Sequence, residues 1–189
     1  MPPSEDARLA AHPSSNARPL IKAGLEASAA EVSLLAEFAT LWSRGLADTG
    51  KLWRLFDQSE MFLYRPDYFG APVFKVSERL VTPVFSTLDR LTAFVNESGE
   101  LGTNSGADGF DWVCLTGEQF FGLPVRARTL AIDFGFEGAA LVDLASRPDP
   151  TPLAGGAPPV AINLELGPDG TMLGGYRDDT NTFQEERTT

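Results

Sequence analysis

His12 and Cys114 are the single histidine and the single cysteine of a 189-residue chain, so most familiar reaction centres lack their parts. Disulfide frameworks, Cys/His zinc cages and His-relayed nucleophiles all need more. His12 stands before Pro13 in a Pro-flanked stretch, where nothing fixes the ring as a general base requires, and it reads as a solvated imidazole. Cys114 alternates with apolar neighbours in Trp112-Val113-Cys114-Leu115 and no cation adjoins it to lower its pKa. A buried, inert thiol is expected. Ser86 and Thr87 are candidate hydroxyl nucleophiles, yet Ser86 three residues before Asp89 has the spacing of a capping box with Asp replacing Glu or Gln. Asn104, Asp108 and Asp111 suggest a calcium loop, but no Glu follows at the bidentate position. Gly99, Gly102, Gly106 and Gly109 lack the Gly-Lys-(Ser/Thr) ending of a phosphate cradle. These residues therefore predict no catalytic centre, no metal and no cofactor.

Composition bounds the rest. Hydrophobic residues make up 43% of the chain, with 13 Phe and 3 Trp, enough to bury a real core and to exclude a wholly disordered protein. Fifteen Lys plus Arg against 26 Asp plus Glu leave a formal charge of −11, whose average field repels a polyanionic nucleic acid. No basic flank leads into an apolar run near Met1, and no stretch has the roughly 20 apolar residues of a membrane span. A cytoplasmic protein that binds neither nucleic acid nor membrane is the expectation.

The elements follow from period and punctuation. Residues 1–20 mix Pro, Ser and Ala without period and read as a flexible leader. Leu25, Ala29, Val32, Leu35, Phe38 and Leu41-Trp42 recur at helical spacing up to Gly45, and Leu52, Leu55 and Phe56 give a second, short helix. Three strands follow, Met61-Phe62-Leu63-Tyr64, Val73-Phe74-Lys75-Val76 and Leu80-Val81-Thr82-Pro83-Val84-Phe85, the last with Pro83 marking an edge or a bulge. Leu88, Leu91 and Phe94-Val95 form the stripe of a helix after Ser86. Residues 97–109 have loop chemistry; then a strand over 111–115 precedes a capping signal from Thr116 to Gln119 and a one-turn helix. Residues 129–134 and 139–144 pair as a hairpin across Gly135-Phe136-Glu137-Gly138. The architecture expected is α+β, a mixed sheet of about five strands packed against helices, within a domain of residues 21–146 that opens on a helical segment. A Pro-rich linker over 147–159 then leads to a separate hairpin and a frayed tail over 160–189, so a chain ended near Arg147 is expected to stay folded.

The middle of the chain supports a resemblance. Met61-Phe62-Leu63-Tyr64-Arg65-Pro66, then Pro83-Val84-Phe85-Ser86-Thr87-Leu88-Asp89-Arg90-Leu91, then Leu130-Ala131-Ile132-Asp133-Phe134-Gly135 with Ala139-Ala140-Leu141-Val142-Asp143-Leu144, resembles the SseB N-terminal-domain family, bacterial proteins named for enhanced serine sensitivity. The likeness spans residues 52–145 and departs at Asp133-Phe134-Gly135, where the family has an Asn-Pro-Gly-like corner. It implies an α+β interaction domain with no catalytic residues to transfer.

Two aromatic pairs remain without an evident place in the core. Tyr68-Phe69 lies between Pro66 and Pro72, and Phe120-Phe121 sits on a one-turn helix with too few faces to bury both rings. Either loop tips fold back on the sheet, or Tyr68, Phe69, Phe120 and Phe121 are anchors for a protein partner. The functional expectation is a non-catalytic interaction module, SseB-like, accessory to a bacterial secretion or effector system. The alternative is an acidic immunity protein or chaperone whose charge steers it onto a basic toxin or secreted cargo.

Overall fold

The computed structural model describes residues 33–99, 110–168 and 172–176, all within one compact unit. The leader, the part of the first helix before Ser33, the Gly-rich residues 100–109 and the tail beyond Tyr176 lie outside the described residues. Helix α1 (Leu34–Ser43) ends where Gly45 takes φ +73° and the amides of Gly45 and Leu46 return to the carbonyls of Trp42 and Leu41. A left-handed residue is tolerated there because glycine has no Cβ. Helix α2 (Thr49–Gln58) is capped by Asp48, whose carboxylate accepts from the Lys51 amide at 2.9 Å, and it buries Leu52, Trp53 and Phe56.

Among the described residues eight strands follow, where a sheet of about five and a separate hairpin were expected. They are β1 (Glu60–Tyr64), β2 (Phe74–Val76), β3 (Arg79–Val84), β4 (Trp112–Thr116), β5 (Thr129–Ile132), β6 (Ala140–Asp143), β7 (Ile162–Leu166) and β8 (Met172–Tyr176), with α3 (Leu88–Ser98) after β3 and α4 (Gly117–Phe120) after β4. Six strands form one mixed sheet in the order β6-β5-β3-β2-β7-β8, and β1 with β4 forms a separate antiparallel ribbon. The protein is α+β. Phe62 of β1 exchanges both backbone hydrogen bonds with Phe85, just past β3, and so joins the ribbon to the sheet. Pro83 on β3 is tolerated because its missing N–H falls on that same side, between the Val81–Phe74 pair and the Phe85–Phe62 pair.

The expected boundary after residue 146 is corrected by β7 and β8. Strand β7 lies parallel to β2 with Phe74 opposite Ile162, the Ala161 amide donates to Val73 at 2.7 Å, and Ala161, Ile162 and Leu164 are buried. The terminal hairpin is thus one end of the main sheet. Prolines in 147–159 keep that run out of regular structure, but they say nothing about where the chain returns. Arg147 fastens the start of the run, with its guanidinium 3.2 Å from the Asp57 carboxylate and 4.0 Å above the Phe121 ring.

Alternation along the strands divides the core in two. Val84, Leu130 and Ile132 join Leu35, Trp53 and Phe56 from α1 and α2, whereas Val81, Phe85 and Ala131 join Leu91, Phe94 and Val95 of α3. Both faces of β3 and β5 are therefore covered. Gly117 lets α4 approach α2, since a Cβ there would collide with the Phe56 carbonyl.

Candidate surface on the open ribbon

Strand β4 borders a surface made from three segments. Its alternate side chains Val113 and Leu115, with Leu63 of β1, meet Leu123 and the loop of residues 65–73 around a groove of about 460 Å³. The loop is rigidly tied for one without regular structure. The Tyr68 hydroxyl accepts from the Val73 amide at 2.7 Å, and the Ala71 amide donates to the Pro124 carbonyl at 3.1 Å. Burial pushes the Tyr68 phenol up to about 12, against the hydrogen bond from Val73, so it remains a neutral hydroxyl. Gly70, at φ +137°, lies close enough to the Pro124 carbonyl that a Cβ would stand 2.8 Å from its oxygen. Phe69 is left 78% exposed at the groove's rim.

The outer edge of β4 follows from parity. Phe62 spends its backbone groups on Phe85, so Leu63 and Met61 are the residues of β1 that face β4, and the Arg65 amide donates to the Asp111 carbonyl in the same sense. Val113 and Leu115 then point their backbone groups at β1, and Trp112 and Cys114 point theirs away. The Thr116 amide, on the same outward side, is taken by the Gln119 side chain at 2.9 Å in a complete capping box. Among the described residues no strand lies on that side of β4.

The other two edges are guarded differently. Strand β6 ends in Asp143, held by a bidentate pair with Arg128 at 2.8 to 3.2 Å, and it packs against α1. Strand β8 carries Gly174 and Gly175, and a register shift falls in its ladder with β7 between Glu165 and Leu166. Strand β4 has no Pro, no charge and no irregularity.

A second cluster stands where β3 and β5 end side by side. Asp133, at φ +53° and 1% exposed, accepts from the Ser86 amide at 2.8 Å, the Ser86 hydroxyl at 2.9 Å and the Arg90 guanidinium at 2.8 Å. Arg90 also lies 5.2 Å from the Phe136 ring centroid. Burial raises the Asp133 carboxyl above its ordinary range, opposed by the Ser86 amide and Arg90. A serine nucleophile must hand its proton to a free base in a cleft that admits substrate. Here one carboxylate serves a backbone amide, a hydroxyl and a guanidinium at once, and Ser86 is buried, so the cluster works as a tie between two strand ends and α3.

The structure separates the four expected anchors. Phe69 is exposed, and Tyr68 is half-buried beside it. Phe120 is corrected to a core residue, fully buried with its ring 5.8 Å from Phe56. Phe121 is half-buried between Phe56, at 5.8 Å, and the covering Arg147 guanidinium. One turn of helix buries one ring and half-covers the other because α2 lies on one side and Arg147, after β6, on the other. Cys114, expected buried, is exposed, yet partial desolvation of its thiol, with the Glu60 charge, pushes its pKa up. Ser86 is not the cap of α3; Thr87 is, accepting from the Arg90 amide at 3.3 Å. The β4 edge and the Asp133 cluster were missed by sequence reasoning. The uncharged run Trp112-Val113-Cys114-Leu115-Thr116 signals the first, and an Asp closing an apolar strand just before Gly135 signals the second.

Among the described residues no group of three His, Cys, Asp or Glu side chains could hold a metal, and no helix is long and apolar enough to cross a membrane. No family model, no curated protein and no solved structure matches the chain.

Proposed function

We propose that the protein is a non-catalytic interaction module of the cytoplasm, which binds another protein on the groove between β4 and the 65–73 loop. The exposed Phe69 carries this reading, because the hydrogen bonds at Tyr68 and Ala71 fix the loop while a large apolar side chain of its tip stays in solvent. A preordered aromatic loses little entropy on docking. The resemblance of residues 52–145 to SseB N-terminal domains belongs to the same proposal, and with it a role accessory to a bacterial secretion or effector system. The formal charge of −11 favours a basic partner, which is the feature shared with an acidic immunity protein or chaperone.

Affinity capture from the native cell with wild-type and Phe69→Ala protein tests the reading. A protein retained by the wild type and lost from a Phe69→Ala variant of unchanged melting temperature is expected. Identical retention by both contradicts the placement of the site.

A further inference from the structure

We infer that β4 binds its partner by strand addition, and that the added segment is an extended stretch of another protein in which apolar residues alternate with lysine or arginine. The inference rests on the interaction reading above and adds its geometry. The outward N–H and C=O of Trp112 and Cys114 are the groups an incoming strand would pair with, for the Phe62–Cys114 pair is one in which the two strands exchange no backbone bonds. A strand laid there puts every second side chain toward the groove beside Leu115 and Phe69. Its remaining side chains face the other side of the ribbon, where exposed carboxylates gather near the last residue of β4. Glu60 lies opposite Thr116 on that side and Glu118 follows β4 in the first turn of α4, whereas Asp111, by the same alternation, lies on the groove side across from the exposed Arg65. Glu60 already acts on the Cys114 thiol through its charge. Backbone pairing supplies affinity, the groove selects apolar residues, and the carboxylates select cations.

The probe is a synthetic peptide alternating Lys and Val, titrated into the full-length isotope-labelled chain and followed by amide NMR. Three controls accompany it: the same peptide N-methylated on its pairing edge, one with Glu in place of Lys, and the parent Lys/Val peptide with Cys114→Pro protein. The last removes an outward N–H without touching the β1 ladder. Shifts at the Trp112 and Cys114 amides are expected, with loss of about tenfold or more in affinity for each control. Should Cys114→Pro fail to fold, the N-methylated peptide still decides the matter. Equal binding of the N-methylated and parent peptides overturns strand addition and leaves a side-chain docking module standing. Equal binding of the Glu peptide overturns the basic partner. No shift at β4 up to about 1 mM peptide overturns the inference, while the Phe69 capture experiment continues to test the interaction reading separately.

Discussion

Tyr68 and Phe69 are neighbours with opposite tasks, one holding the loop and the other left for solvent. Tyr68→Phe deletes the acceptor of the Val73 amide, and Val73 is fully buried, so a donor is stranded. A loss of about 1–3 kcal/mol in urea unfolding is expected, with the loop's amides exchanging faster. The two expected anchor pairs now give contrasting outcomes. Phe120→Ala opens a cavity under α2 and should cost roughly 3–5 kcal/mol, whereas Phe69→Ala should change stability by less than about 0.5 kcal/mol. Asp133 adds a pH dependence of definite sign. Its folded carboxyl titrates above the ordinary 3.8, chiefly through burial, so on raising pH the unfolded chain ionises first. Stability from this group is therefore greatest in acid and falls as pH climbs from 3.8 to the folded value. Melts of wild-type and Asp133→Asn protein across that interval should show the difference moving against the wild type as pH rises. A difference moving the other way contradicts the burial argument.

At the scale of elements, the terminal hairpin decides how the chain can be cut. Ending it after Arg147 removes β7 and β8, strips Ile162 and Leu164 from the core and opens the edge of β2. Burial of two large aliphatic side chains alone is worth roughly 3–6 kcal/mol, comparable with the whole stability of many domains. Circular dichroism of the truncated chain should show no cooperative melt; a transition like that of the full chain would return the hairpin to a separate unit. Strands β1 to β6 were legible because Pro, Gly and period-two runs are local signals, and so was the Thr116–Gln119 capping box. The parallel pairing of β7 with β2 was not, since Phe74 and Ile162 meet only through long-range register. Ser86 and Thr87 could each cap α3, and the choice was made by Asp133, far along the chain. Phe120 was misplaced because a one-turn helix looks exposed until α2 is laid over it. Of the candidate surface, Tyr68-Phe69 was visible as aromatic residues in a turn-rich loop. The open edge of β4 was not, because edges are defined by neighbours absent from the local sequence.

For the molecule as a whole, both faces of β3 and β5 are covered and, among the described residues, the edges at β6 and β8 carry a protective feature while that at β4 carries none. The −11 charge adds long-range attraction for a basic partner, and association with it should slow as salt shortens the screening length toward about 3 Å at 1 M. Backbone hydrogen exchange tests docking at the β4 edge most directly, measured on the full chain alone and again with the partner that the wild type retains. In the free protein the Trp112 and Cys114 amides should exchange quickly while that of Phe62, bonded to Phe85, is protected. With partner bound, Trp112 and Cys114 should slow by orders of magnitude and the 65–73 loop should slow with them. Partner binding that leaves β4 and the loop exchanging as before, and protects another face instead, would contradict the account.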